Sequence, residues 1–145
     1  MRRLAAAIVF LAVPVAVLAA EFRSIAEGGT AMYDAPSVKS KKLFAASRAY
    51  PVEIVVSIDN WAKVRDSSGE LAWVEKKSLS ERRTVVVTAP VADVRQAANE
   101  QAAVAFQAQQ GVVLDVTEQP ASGWVKVRHA DGLAGYVRIN QVWGL

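Results

Sequence analysis

The sequence predicts an all-β protein in which one small unit is used twice, behind an N-terminal export signal. Three observations carry that reading. The stretch from Trp61 to Val74 (WAKVRDSSGELAWV) recurs without a gap 63 residues later as Trp124 to Val137 (WVKVRHADGLAGYV). Six of the fourteen positions are identical and a seventh pairs Trp73 with Tyr136, which marks a duplicated structural unit. The segments around both copies are short apolar runs broken by Gly, Pro, Asp and Ser, and the chain opens on a basic and then apolar stretch.

Each copy reads as a β-hairpin. Trp61-Ala62-Lys63-Val64-Arg65 and Trp124-Val125-Lys126-Val127-Arg128 change character at every residue, the period-two pattern of a strand with one buried face, with Val125 breaking it on the outward side. Asp66-Ser67-Ser68-Gly69 and Ala130-Asp131-Gly132 then supply a turn in which glycine accepts a positive φ. The chain returns as Leu71-Ala72-Trp73-Val74 and Ala134-Gly135-Tyr136-Val137. Upstream of the hairpins lie further strands, Tyr50 to Ile58 and Val112 to Thr117, each ending in a polar turn. The turn before Trp124 is one residue longer, an insertion that surface loops tolerate. Further upstream, Ala31 to Ser37 and Ala92 to Ala97 read as a first short strand running into a long loop. The second of these loops, Gln96 to Gln110, is rich in alanine and glutamine and favours a helical turn over a strand.

The order of these pieces, from the Tyr33-Asp34-Ala35-Pro36-Ser37 segment or Asp93-Val94-Arg95, through a long loop and an apolar strand, to W-x-K-V-R, a glycine turn and Ala72-Trp73-Val74 or Gly135-Tyr136-Val137, resembles the bacterial SH3-like (SH3b) domain. The resemblance covers nearly all of the chain after the export signal. It implies two tandem SH3-like small β-barrels, residues 21–80 and 84–145, after a signal peptide at residues 1–20. The first copy departs from the family at Ala72, where glycine is usual, and the second has Val94-Arg95-Gln96-Ala97 in place of the Tyr-Asp-Ala-Pro segment. The family implies a binding function, with cell-wall peptidoglycan or an envelope protein as the partner.

The signal is read from Met1-Arg2-Arg3 followed by an apolar run through Leu18 and small residues at Ala19 and Ala20, where cleavage is expected. An apolar run of about seventeen residues sits at the lower limit of a membrane span, and Pro14 with the terminal alanines favours removal over retention as an anchor. Export to the periplasm or cell envelope follows, without stable membrane insertion afterwards. No cysteine is present, so a lipid anchor at the cut, a disulfide framework and a thiolate metal site are all excluded.

Arg2 and Arg3 account for two of the seventeen basic residues, so the part beyond the signal carries fourteen acids against fifteen bases. Near-neutral charge and the lack of a continuous basic stripe argue against nucleic acid as a partner. Each unit of about sixty residues is marginal by itself because a domain of that size buries only about 60% of its unfolded surface. The linker from Ser78 to Thr84 is too short for free motion, so a compact tandem is expected.

Catalytic groups are scarce. His129 is the sole histidine and sits at the start of a hairpin turn beside Asp131, where it reads as a surface residue. No acid pair, metal-ligand spacing or nucleophile with a base stands out, so no catalytic residue, metal or cofactor is assigned. Aromatic side chains are the expected contacts, because they offer large area at low entropic cost. Tyr33, Tyr50, Trp73, Tyr136 and Trp143 are the candidate ligand-binding residues. The repeated pairs Trp61/Trp124 and Trp73/Tyr136 also read as core, while Lys63, Arg65, Lys126 and Arg128 should face outward. Tyr33 lies in Ala31-Met32-Tyr33-Asp34, similar to the A-L-Y-D segment of eukaryotic SH3 domains. A non-catalytic envelope-binding protein is the leading functional expectation. A structural or assembly adaptor acting only through protein contacts is the alternative.

Overall fold

Both repeated segments fold as antiparallel hairpins. The computed structural model describes Pro14 and residues 19–145, so most of the expected signal segment lies outside the described residues. In the first unit the strands are β1 (Glu21–Ile25), β2 (Thr30–Tyr33), β3 (Lys42–Ala46), β4 (Pro51–Ile58), β5 (Trp61–Arg65), β6 (Leu71–Glu75) and β7 (Leu79–Ser80). The second unit repeats them as β8 (Thr84–Val87), β9 (Val91–Arg95), β10 (Val104–Gln109), β11 (Val113–Val116), β12 (Trp124–Arg128), β13 (Ala134–Arg138) and β14 (Val142–Trp143). A 3₁₀ turn precedes the last strand of each, at Lys76–Ser78 and Ile139–Gln141.

Strand order is β3-β2-β6-β5-β4-β1-β7 in one sheet and β10-β9-β13-β12-β11-β8-β14 in the other, the same topology twice. Neither ladder closes on itself, so each unit is an open sheet with edges at β3 and β7, or β10 and β14, and not a fully hydrogen-bonded barrel. The sheet nevertheless wraps its own core. Ile25, Met32, Ala46, Val52, Ala62, Val64, Ala72 and Val74, from six successive strands, form one buried cluster, which a flat sheet does not permit. Val85, Val87, Val94, Leu114, Val125, Val127 and Val137 do the same in the second unit.

Two expectations are corrected here. The segment Gln96–Gln110 contributes strand β10, paired with β9, in place of the expected loop with a helical turn. Pairing with an open edge outweighs the weak helix preference of Ala and Gln, since propensity is a small term beside tertiary packing. The other correction concerns parity. In β5 and β12 the core-facing residues are Ala62, Val64, Val125 and Val127, so Val125 faces inward, and Trp61 and Trp124 share the opposite parity with the lysine and arginine, Trp124 being nonetheless buried there. The outward placement of Lys63, Arg65, Lys126 and Arg128 is as expected.

The two units meet through a short, bonded junction. Ser24 and Thr84, both buried, donate to Arg82 O (2.7 Å) and Ala49 O (2.6 Å) respectively, bonds that span from one unit to the linker or the other unit. Phe22 of β1 packs edge-to-face on Trp143 of β14 at 5.1 Å, and the Arg83 guanidinium lies 5.7 Å from the Phe22 ring. Arg82 grips Asp115 through two 2.7 Å bonds. A linker tied down in this way fixes the modules as a compact tandem.

Candidate functional site

The antiparallel register carries the aromatic residues of the first module to one outer face. Side chains alternate along each strand, so placing Ala62, Val64, Ala72 and Val74 in the core turns Trp61, Lys63, Trp73 and Glu75 outward. β5 pairs with β6 so that Lys63 faces Trp73 and Trp61 faces Glu75. β2 joins on the other side with Tyr33 opposite Trp73. Tyr33, only 7% exposed, meets Trp61 edge-to-face at 5.4 Å, a geometry in which the positive ring edge of one aromatic meets the negative face of the other. Three aromatic residues from three strands are therefore grouped on this face, Tyr33 packed edge-on to Trp61 and Trp73 next to them in register, with a lysine and a carboxylate alongside. Trp61 and Trp73, each half-buried, are the rings of this group with surface left for a ligand.

The equivalent face of the second module is built from the same strands. Trp124, Lys126, Tyr136 and Arg138 project outward from β12 and β13, with Arg95 of β9 opposite Tyr136. The Arg138 guanidinium lies 4.6 Å from the Trp124 ring centre and Lys126 Nζ is 5.7 Å from the Tyr136 ring. A cation over an aromatic face is attracted by the ring quadrupole, most strongly for Trp. A 3.2 Å hydrogen bond from Lys126 Nζ to Glu118 stabilises the ammonium and raises its pKa.

The remaining candidates go elsewhere. Tyr50 packs against the first core, and its hydroxyl lies 2.7 Å from Ser67 Oγ and accepts from Ser67 N at 3.3 Å, which ties β4 to the hairpin turn. Trp143 is at the junction of the modules against Phe22. Of the five candidates, Tyr33 and Trp73 are brought together, Tyr136 takes the matching place in the second module, and Tyr50 and Trp143 are separate. Trp61 and Trp124, expected in the core, lie on the face opposite the main clusters, Trp61 half-buried and Trp124 buried against the Arg138 guanidinium. Their shared parity with Lys63 and Lys126 was the available signal.

His129 stands at the mouth of the second hairpin, its Nδ1 3.1 Å from Asp131 and its ring 6.2 Å from Phe106. Among the described residues no group of His, Asp and Glu is arranged to hold a metal ion, and no helix is long and apolar enough to cross a membrane.

The profile of the bacterial SH3 domain matches the chain twice, over residues 26–81 and 89–144. The chain belongs to the bacterial SH3 domain family. It contains two tandem bacterial SH3 modules, a family of binding domains, and both matches fall on the two sheets described above. No curated protein matches the sequence. Among solved structures, the chain is similar to NlpC2 from Trichomonas vaginalis at 15% identity and a TM-score of 0.40, covering 86% of this chain and 48% of that one. It is similar also to NlpC1 from the same organism (16%, TM-score 0.37, covering 89% and 47%). A third is an NlpC/P60 family protein from Bacillus cereus (15%, TM-score 0.38, covering 85% and 56%). The chain spans about half the length of these structures.

Proposed function

We propose that this chain is an exported, non-catalytic binding protein of the cell envelope, whose paired bacterial SH3 modules recognise peptidoglycan. The observation that carries the reading is the pair of half-buried tryptophans Trp61 and Trp73 on one outer face, with Tyr33 packed against Trp61. Trp61 and Trp73 stand half-buried on the face opposite the first module's apolar cluster, which is filled without them. Such rings are suited to stacking on sugar rings, with Lys63 and Glu75 at the margin for hydrogen bonds. Export rests on the basic and apolar segment ending near Ala19 or Ala20, and the non-catalytic reading rests on the family, whose domains are binding modules.

Sedimentation of the protein, from Glu21 onward, with purified sacculi tests the reading. Saturable pelleting is expected, with Trp73→Ala weakening it about tenfold or more, the loss of ~1.4 kcal/mol that one aromatic anchor supplies. The variant's folding is checked by its thermal transition. No pelleting by the folded wild-type protein at any salt concentration would sink the reading.

A second reading, an adaptor for an envelope protein, is favoured by one feature. Edge strand β3 exposes Leu43 (43%) and Phe44 (40%) beside unpaired backbone groups, the arrangement by which an edge accepts a strand from a partner. Crosslinking from Phe44 in cells distinguishes it.

A further inference from the structure

The two outer faces share a tryptophan, exchange Trp73 for Tyr136, and differ in charge at two further aligned positions. Arg95 stands opposite Tyr136 where Tyr33 stands opposite Trp73, and Arg138 stands opposite Trp124 where Glu75 stands opposite Trp61. A tyrosine and a carboxylate in the first module are thus two guanidinium groups in the second. Both line a cleft of about 250 Å³ with Asp93, Glu100 and Trp124. Trp124 is 6% exposed and forms its floor, with Arg138 laid across it. Arg95 donates to Ala102 O at 2.9 Å and approaches Asp93 at 3.5 Å.

The Arg138 fork already holds a carboxylate. Its Nε and Nη2 both engage Oε1 of Glu100, which reaches back from the loop between β9 and β10. A guanidinium laid on an indole ring is pre-oriented to offer its N–H donors to a planar anion, and Glu100 places one carboxylate oxygen, Oε1, against two of them. Glu100 is half exposed at 51%, and exposed ion pairs are weak enough to be exchanged.

We propose that this cleft binds a stem-peptide carboxylate of the cell-wall polymer, and that Glu100 is a tethered competitor which occupies the position in the free protein. The identity of the polymer rests on the function proposed above; the carboxylate chemistry rests on the Arg138, Trp124 and Glu100 geometry. The first module has Glu75 at the aligned position and repels the same group. One face therefore takes rings and the other takes the charge beside them. Because the site is open only in the fraction of molecules with Glu100 withdrawn, the apparent affinity is reduced by that fraction.

The test is a titration of the protein with a soluble muropeptide, a disaccharide bearing a short peptide stem, and with the same compound amidated at its stem carboxylates. Glu100→Gln is expected to tighten binding of the intact compound about two- to fivefold. Arg138→Gln should weaken it at least about tenfold, with Arg138→Lys in between because a point charge lacks the fork. The amidated compound should bind more weakly and gain nothing from Glu100→Gln. Equal affinities for wild type and Glu100→Gln, full binding by Arg138→Gln, or indifference to amidation would each overturn the proposal. Sacculus pelleting by wild type and Arg138→Gln run in parallel separates the two readings. Equal pelleting leaves wall binding standing while the carboxylate site falls; absence of both pelleting and muropeptide binding removes both.

Discussion

Gly135 occupies a place where a methyl group has no room. A Cβ there would lie 2.5 Å from Arg95 O and 2.9 Å from Val94 Cγ1, because β13 crosses close to the backbone of β9. Gly135→Ala is expected to destabilise the second module by about 1–3 kcal/mol, the cost of overpacking a rigid site, read as a lower denaturant midpoint at unchanged slope. Ala72 fills the matching position of the first module and is itself buried in the core, so the same side chain is accepted in one copy and resisted in the other. The departure at Ala72 is visible in the sequence. Its consequence depends on how closely β2 or β9 approaches, which no residue string records. The outward tryptophans make the same point. A large apolar residue reads as core, yet the space inside a curled sheet of this size is taken by Val, Ala, Leu, Ile and Met. Parity with Lys63 and Lys126 decided the side on which Trp61 and Trp124 lie.

Within the hairpins, the turn positions and their glycines were legible in the sequence, and the structure adds the aspartate bonds. Gly69 and Gly132 take φ values of 90° and 93°, and an aspartate bonds the turn in each copy. Asp66 Oδ1 accepts from the backbone N–H groups of Ser68 and Glu70, while Asp131 Oδ1 accepts from Leu133 N at 2.9 Å. The Leu133 N–H, followed by the bond with His129, holds the Asp131 carboxyl below the usual aspartate range. A lowered folded pKa means that the charged carboxylate stabilises the turn above the unfolded pKa. That contribution is lost as pH falls through the lower folded value. The amide resonance of Leu133 is therefore expected to titrate with a midpoint below that of an unstructured aspartate, and Asp131→Asn should abolish the titration. The opposite case is β10, where alanine and glutamine carry no strand pattern and only the open edge of β9 makes them one.

At the scale of the whole molecule, the junction makes the two modules one mechanical unit. Each unit is of the size at which burial is marginal, and the contacts of Phe22 with Trp143, Ser24 with Arg82 and Thr84 with Ala49 join them. A buried hydrogen bond contributes about 1 kcal/mol, and an aromatic pair about 0.5–1.5 kcal/mol beyond its area. Trp143→Ala is expected to lower the stability by about 3 kcal/mol and to split a single calorimetric transition into two. One unchanged transition would show that the coupling does not run through this pair. Fixing the modules also fixes the spacing between their outer faces, so a polymer that engages both gains from the second contact without paying again for encounter.

Repeat, hairpin strands, turn positions and the compact tandem were written in local signals: identity at a constant spacing, period-two alternation, glycine at the hairpin tips, and a linker too short to swing. These are properties of neighbouring residues, so the chain declares them by itself. The grouping of Tyr33 with Trp61 and Trp73, and of Arg95 and Glu100 with Arg138, was decided only by the folded sheet. The residues of each group lie on separate strands or loops, and register between strands, which sets who stands opposite whom, is a consequence of how the whole sheet curls around its core.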